Sequence, residues 1–274
     1  MTKYKTLFFL IVLFLLSPAI WAQSSIFSVN ANYLNRHDIV YKTPAYEGYD
    51  GFPLGNGDLG GMIWNNRNGL EIQVNKNDLS DAPGDEPYST LRNGVRVSID
   101  LGAPAFDWLY LADFDSRLSL NKAEVNMTAN TPFKTTTINS WVAANKNVWV
   151  VNIQTKDSSY LTEGTPIRIS LERWGSRAFA GWYGRIDKKT DAGIGATSTK
   201  ISGKNILLEQ QLNGLNFAAA CGVNTPDATT EITSNHKAVI VTPQKKVQSL
   251  VIVISMATSY ETGDPAAKAL ELVN

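Results

Sequence analysis

The sharpest local motif of the chain is a glycine-rich segment at residues 52–62, which reads FPLGNGDLGGM. Three of its glycines match the G-x-G-x-x-G pattern of dinucleotide-binding loops, and Asp78 lies 18 residues after the third, near the expected position of a ribose-binding acid. That chemistry needs a strand before the glycines and a helix after them. Pro53 and the hairpin predicted to follow argue against both, so we expect no dinucleotide. The glycines instead predict unusual backbone angles or close packing by a neighbouring segment.

Acidic residues offer a candidate cation site. Asp113, Asp115 and Glu124 occupy positions one, three and twelve of a possible calcium loop. Leu118, however, stands where the turn glycine of that loop must be. We therefore predict a strand in which Leu118 and Leu120 face inward. A calcium site built from other loops stays open, and we assign no metal ligand and no cofactor.

Residues for nucleophilic catalysis are scarce. The two histidines, His37 and His236, are far apart in the sequence, and G-x-S-x-G, H-E-x-x-H and C-x-x-C motifs are absent. The single cysteine, Cys221, lies among small apolar residues, where we predict that it is buried and structural. Glycoside hydrolysis needs two carboxylates about 5 to 9.5 Å apart, and the sequence shows that distance for no pair. We assign no catalytic residue.

Aromatic residues and glycines lie close together in the segment 174–184. Trp174, Trp182 and Tyr183 are candidates for stacking on sugar rings, because the apolar face of a sugar packs against an aromatic ring while nearby polar groups bind its hydroxyls. Packing of these rings in the core or between domains is the other interpretation.

The elements that must position these residues are mostly strands. Apolar and polar residues alternate in segments 95–101 and 167–171, which predicts antiparallel strands with one solvated face. The runs 148–153 and 250–254 are short and β-branched, which predicts strands covered on both faces. The sequence Asn-Gly at 68–69 predicts a hairpin.

Only the last segment predicts a helix. Asp264 and Pro265 provide an N-cap and a proline at the first helical position, and mostly strong helix formers follow. We expect this helix to continue beyond Asn274, in a chain that is truncated, with a short helix docked on the sandwich as the alternative.

The composition and the amino-terminal residues limit which classes of protein this chain can belong to. The 274 residues include 25 Lys plus Arg and 25 Asp plus Glu, so a formal charge of zero gives no footprint for nucleic-acid or anionic-membrane binding. Lys3 and Lys5 precede an apolar run at residues 7–16, and small residues end at Ala22. This pattern predicts a secretory signal peptide over residues 1–22, too short to span a membrane. We expect an exported protein, periplasmic or extracellular, with no membrane segment after cleavage.

Beyond these features, the glycine-rich segment resembles the opening of inverting, barrel-containing α-L-fucosidases, which read P-L-G-N-G-x-L-G-A-M before a hairpin. Residues 116–123 (SRLSLNKA) are similar to their strand carrying R-x-L-D-L-x-x-A, and residues 255–260 (SMATSY) resemble their last β-strand. The chain also resembles a related family of exported Bacteroidota proteins of undefined activity. Residues 75–79 (NKNDL) depart from the usual acid, threonine and tryptophan, so we assign no fucose specificity.

The resemblance implies an all-β supersandwich of two large antiparallel sheets with a short C-terminal helix. In those enzymes helical linkers join it to an (α/α) barrel that supplies the catalytic acid, and here such a barrel would begin after Asn274. We therefore expect a β-sandwich domain at residues 23–262 and the start of a linker helix at 263–274. No catalytic residue can be carried over onto this chain.

The leading hypothesis is a non-catalytic N-terminal module of an exported glycoside hydrolase-like protein that acts on carbohydrate. Its partner is the barrel domain, and the candidate interface residues are Gly55, Asn56, Gly57, Asp58, Gly60, Gly61, Asn75 and Asp78. The alternative is a self-sufficient carbohydrate-binding module that uses Trp174, Trp182 and Tyr183. A standalone enzyme is a third hypothesis, and it needs two facing acids.

Overall fold

The chain divides into two units, residues 1–37 and residues 38–274. The computed structural model describes residues 31–79, 93–158, 161, 165–173, 197–212, 214–225, 227–234, 236–242 and 249–274. In the first unit the described part consists of helix α1 (Ala31–Leu34) and a 3₁₀ turn (Asn35–His37). The signal peptide predicted for residues 1–22 lies outside the described residues.

The second unit is built from two antiparallel sheets. The nine-stranded sheet has the order β1 (Ile39–Tyr41), β6 (Asp113–Ser119), β7 (Glu124–Asn130), β8 (Lys134–Val142), β9 (Val148–Asp157), β16 (Ser249–Thr258), β13 (Leu215–Asn224), β12 (Asn205–Leu212) and β11 (Ser198–Ser202). The seven-stranded sheet has the order β14 (Thr229–Ser234), β15 (Lys237–Val241), β10 (Arg168–Glu172), β5 (Val95–Asp100), β4 (Gly69–Lys76), β3 (Leu59–Asn65) and β2 (Phe52–Gly55). The predicted all-β antiparallel sandwich is confirmed.

One hydrophobic core lies between the two sheets. The alternation in β5 buries Val95, Val97 and Ile99, as the sequence predicts, and the inward faces of both sheets contribute to the same cluster. Trp149 is fully buried in this core, where its indole N–H donates to the Ser140 hydroxyl at 2.9 Å. This bond satisfies the one polar group that burying a tryptophan would otherwise leave unpaired.

The predicted hairpin at Asn-Gly 68–69 joins β3 to β4. The prediction that β9 and β16 are covered on both faces is right only in part. Ser255 and Ala257 in β16 are buried on the outer side of the sheet, whereas Val150 and Val251 on that side are only half-buried. The outer face is therefore covered at one end of these strands and open further along them.

The cover at that end is helix α2 (Pro265–Val273). The Asp264 carboxylate accepts a hydrogen bond from the Ala267 N–H at 3.0 Å, which confirms the predicted N-cap. The helix packs on the outer face of the nine-stranded sheet, where the Ser255 hydroxyl donates to the Ala269 carbonyl at 2.7 Å. Small sheet residues permit this close approach, namely Ala218, Ala220 and Ala257. No helix in the described part of the chain is long and apolar enough to span a membrane.

Replacement of Asp264 by alanine is expected to destabilise α2 by about 1 kcal/mol, because the N-terminal amides lose their cap. Amide hydrogen exchange in α2 should then be about fivefold faster under native conditions. Glu271→Ala, an exposed change on the same helix, is the matched control and should alter exchange little. Equal exchange rates in Asp264→Ala and the unaltered protein would contradict the assignment of the cap.

Cys221 is fully buried in β13, as predicted, and burial raises the pKa of its thiol to about 12. Since the thiolate is the reactive species, we expect no alkylation of the folded protein by iodoacetamide at pH 8, and complete alkylation in denaturant. Mass spectrometry of the intact protein gives this result directly. Rapid labelling under native conditions would show that β13 opens.

One prediction about β6 is wrong. Leu118 faces the core, but Leu120 lies just beyond the strand and is 41% exposed. Its backbone N–H donates to the Asp38 carboxylate at 2.9 Å. The strand ends one residue earlier than the alternation suggested, because Leu120 belongs to the turn that leads to β7.

Candidate functional site

The glycine-rich segment forms the hairpin between β2 and β3. Its turn is closed by Asn56, whose side-chain oxygen accepts hydrogen bonds from the backbone N–H groups of Asp58 at 3.0 Å and Leu59 at 2.8 Å. Gly57, at the tip, has a φ of 94°, a conformation that L-residues with a side chain rarely adopt. Gly61 has no room for a side chain, because a Cβ there would lie 1.8 Å from the Gln73 carbonyl oxygen. The predicted unusual angle and the predicted close packing both occur in this hairpin.

The hairpin is tied to the other sheet. The Asn56 side-chain amide donates to the backbone carbonyls of Ala143 at 2.9 Å and Lys146 at 3.0 Å, in the turn between β8 and β9. The two sheets are thus joined at this end by hydrogen bonds as well as by the core between them. A rigid hairpin follows from this double attachment.

A buried lysine lies beneath the hairpin. Lys76, at the end of β4, has a side chain only 1% exposed, and its ammonium lies 2.7 Å from Asp58 Oδ1, 3.2 Å from Asp78 Oδ2 and 3.2 Å from Glu261 Oε1. Burial acts to lower the pKa of Lys76, but its hydrogen bonds to Asp58 and Asp78 outweigh that effect and raise the pKa. The ammonium is therefore charged, and it is the cation shared by these three carboxyl groups.

Further hydrogen bonds fix the three carboxylates. The Asn147 side-chain amide donates to Asp58 Oδ2 at 2.6 Å and to Glu261 Oε1 at 2.8 Å. The Thr258 hydroxyl donates to Asp78 Oδ2 at 2.5 Å, and the Thr258 N–H donates to Glu261 Oε2 at 3.1 Å. We call Asp58, Lys76, Asp78, Asn147, Thr258 and Glu261 the Lys76 cluster. It joins the seven-stranded sheet to the ends of β9 and β16 in the nine-stranded sheet.

The electrostatics of the Lys76 cluster favour the ionised form of Asp58. Partial burial acts to raise the pKa of Asp58, but hydrogen bonds from Lys76 and Asn147 outweigh it and hold the pKa below its usual value. A general acid in glycoside hydrolysis needs a raised pKa, so that it is protonated near neutral pH. Asp58 has the opposite property, and the arrangement suits structural linkage rather than proton transfer.

Two open cavities flank the cluster. One, of about 580 Å³, lies against the hairpin and the end of β4 and is lined by Gly55, Gly60, Asn75 and Asn77. The other, of about 660 Å³, lies between Asn56, the turn 144–147 and helix α2. Both are lined mainly by amides, glycines and charged groups.

The structure brings all eight predicted interface residues together at this end of the sandwich. Asn75 pairs with Gly60 across β3 and β4, and its side-chain oxygen accepts a hydrogen bond from the Gly94 N–H at 2.9 Å. Asp78 lies in the Lys76 cluster. Their role as an interface stays a prediction. The predicted sugar-stacking residues Trp174, Trp182 and Tyr183 lie outside the described residues.

Four members of the cluster were missed by the sequence analysis: Lys76, Asn147, Thr258 and Glu261. Only Lys76 had a usable signal. It continues the inward alternation of Leu70, Ile72 and Val74 in β4, and a lysine at such a position requires buried partners.

A family model described as a domain of unknown function, DUF5703, in its N-terminal part, matches residues 40–197, which is more than half of the chain. The chain belongs to the DUF5703 family. The DUF5703 match includes the hairpin, Lys76 and Asn147, whereas Thr258 and Glu261 lie after it. No curated protein matches the DUF5703 chain.

Parts of three solved structures match this DUF5703 chain, to different degrees. A human-microbiome protein described as a kojibiose phosphorylase matches with a TM-score of 0.58 and 14% identity, over 86% of this chain and 34% of that one. A bacterial glucoamylase complexed with acarbose matches with a TM-score of 0.36 and 8% identity, over 86% and 37%. A GH36 α-galactosidase from Geobacillus stearothermophilus matches with a TM-score of 0.27 and 11% identity, over 75% and 40%. Only the first score supports a shared fold, and the DUF5703 chain spans about a third of that protein's length.

Proposed function

We propose that this chain is the N-terminal β-sandwich module of an exported glycoside hydrolase-like protein that acts on carbohydrate, and that it supports a separate catalytic domain. The observation that carries the proposal is the match to the protein described as a kojibiose phosphorylase, which extends over 86% of this chain but only 34% of that one. A sandwich with this fold therefore occurs as one part of a longer protein. The resemblance of the hairpin motif to α-L-fucosidases points to the same class.

The end of the sandwich with the Lys76 cluster is the proposed surface for the catalytic domain. Gly55, Gly57 and Gly60 leave the backbone of the hairpin uncovered by side chains, so a partner segment can approach the 580 Å³ cavity closely. Asn56 and the Lys76 cluster hold that surface rigid from below. A rigid surface loses little conformational entropy when a partner binds.

The module is proposed to be non-catalytic by itself. In the Lys76 cluster each carboxylate is engaged by the ammonium, and the pKa of Asp58 is lowered. Asp58 therefore stays ionised at neutral pH and does not provide the protonated acid that a leaving group needs. Export rests on the signal peptide predicted for residues 1–22, which leads to the periplasm or the cell exterior.

Turnover assays test the proposal. Residues 23–274 should not turn over aryl glycosides, nor disaccharides with or without phosphate. A protein in which the same residues are joined to the proposed catalytic domain should do so. Turnover by residues 23–274 alone, abolished in Glu261→Gln or Asp58→Asn, would overturn the proposal. For export, the mature protein isolated from the native host should begin at Gln23, and a cytoplasmic protein that retains Met1 would contradict it.

A further inference from the structure

The outer face of the nine-stranded sheet carries a row of three asparagines. Asn126 in β7 pairs with Asn139 in β8, which in turn pairs with Asn152 in β9. Each is half-buried and alternates with buried neighbours, so all three side chains lie on the outer side. Adjacent strands are about 4.8 Å apart, so the three side chains lie next to one another across the sheet.

This row is unusual for a sheet. Asparagine is depleted in strands, whereas the threonines Thr128 and Thr137, on the same face, are typical of an outward position. Three asparagines in register therefore lower the local preference for a strand, and on the outer face they add nothing to the hydrophobic core. Such departures from local preference concentrate at functional sites.

The amides of the row are only partly satisfied. The Asn139 side-chain amide donates to Asn126 Oδ1 at 2.8 Å, and that of Asn126 donates to Glu124 Oε1 at 3.1 Å. Among the described residues, the side chain of Asn152 has no hydrogen-bond partner. Its amide can both donate to a ligand and accept from it.

An apolar strip lies beside the row. Trp141 is two residues along β8 from Asn139, on the same face, and pairs with Val150, which pairs with Val253. All three are half-buried. A sugar ring has an apolar C–H face and a rim of hydroxyls, so a ring on Trp141 would direct hydroxyls toward the neighbouring amides.

The chemistry of this face selects its ligand. Amides and hydroxyls predominate, and the charged groups next to the row are paired, Glu124 with Lys122 at 3.4 Å and Arg117 with Asp38 at 3.0 Å. A protein partner is expected to find apolar and aromatic groups at the centre of an interface, and an anionic ligand to find clustered cations. A neutral ligand rich in hydroxyls therefore fits a row of asparagine amides next to a tryptophan.

We propose that the outer face around Asn126, Asn139, Trp141 and Asn152 binds a neutral polysaccharide chain, with Trp141 stacking on one sugar and the amides bonding the hydroxyls of its neighbours. The asparagine row extends across three strands, which suits an extended chain better than a single sugar. The binding shares with the proposed function only the expectation that the protein acts on carbohydrate, and it requires no catalytic domain.

Affinity electrophoresis of residues 23–274 in gels containing xyloglucan, galactomannan or arabinan tests the proposal. At least one of these neutral polymers should retard the protein, and Trp141→Ala should weaken binding roughly tenfold or more. Trp108→Ala is the matched control. It removes an indole that is 69% exposed in the turn between β5 and β6, beyond the opposite end of β8. Its binding should equal that of the unaltered protein.

Asn152→Thr separates a binding role from a structural one. Threonine is preferred in strands, so the thermal midpoint should stay equal or rise while polysaccharide binding weakens severalfold. A lower midpoint with unchanged binding would show that the amide serves the sheet and would overturn the proposal. Absence of retardation by all three polymers would also overturn it, as would equal losses in Trp108→Ala and Trp141→Ala. None of these outcomes changes the turnover assays that test the proposed function.

Discussion

Replacement of Lys76 by methionine should lower the free energy of unfolding by about 3 kcal/mol at pH 7. The side chain of Lys76 is 1% exposed, and its ammonium lies within 3.2 Å of Asp58, Asp78 and Glu261. Methionine fills similar space but leaves three carboxylates close together without a cation. Their mutual repulsion and incomplete hydration destabilise the folded state. The effect is limited because each carboxylate keeps part of its exposure to water.

The loss of unfolding free energy in Lys76→Met should become smaller as the pH falls. In the unaltered protein Asp58 has a lowered pKa, so its contribution to stability is complete above its unfolded pKa. That contribution is lost as pH falls through the folded pKa. In the variant the lysine no longer supports ionised carboxylates, and protonation relieves their repulsion. The two proteins should therefore become more alike in stability below about pH 4.

Urea denaturation at pH 7 and at pH 4 measures both effects. Lys268→Met is the matched control, because Lys268 pairs with Glu271 on the surface of α2, with side chains 43% and 69% exposed. It should change stability by at most about 0.5 kcal/mol at either pH. Two results would contradict the role assigned to the cluster. One is a Lys76→Met variant as stable as the control, and the other is a loss of unfolding free energy that is larger at pH 4 than at pH 7.

The Lys76 cluster also shows how far sequence reasoning reaches. The period of two in β5 and β10, the Asn-Gly hairpin and the Asp264 cap were predicted, because each depends on neighbours within a few residues. The glycine segment was identified as a site of close packing for the same reason. Its partners were not identified, since Asn147 reaches Asp58, and Glu261 reaches Lys76, from distant parts of the chain.

The asparagine row was missed for a related reason. Each asparagine has an ordinary appearance within its own strand, and the row exists only through the registers of β7 with β8 and of β8 with β9. Register depends on the whole sheet, and a shift of one residue would turn these side chains toward the core. The error at Leu120 is local by contrast, because the boundary of a strand is set by the turn that follows.

Replacement of Gly61 by alanine should lower the stability of the protein more than alanine at any other glycine of the β2–β3 hairpin. A Cβ at this position would lie 1.8 Å from the Gln73 carbonyl oxygen and 3.3 Å from Cζ3 of the buried Trp149. Neither the carbonyl, which is backbone of β4, nor the packed indole can move freely. β3 and β4 must separate locally, and we expect a loss of about 2–4 kcal/mol.

Two further glycines turn this expectation into an ordered series. Gly57→Ala meets no atom within 4 Å but forces a φ of 94° on alanine, so it should cost about 1–2 kcal/mol through backbone strain alone. Gly263→Ala meets no atom and has no such angle, and it should leave stability within about 0.5 kcal/mol. Guanidinium denaturation of the three variants gives the ranking. A Gly61→Ala protein no less stable than Gly57→Ala would mean that β3 and β4 are further apart than described, and the rigid hairpin proposed as the contact surface for a catalytic domain would lose its basis.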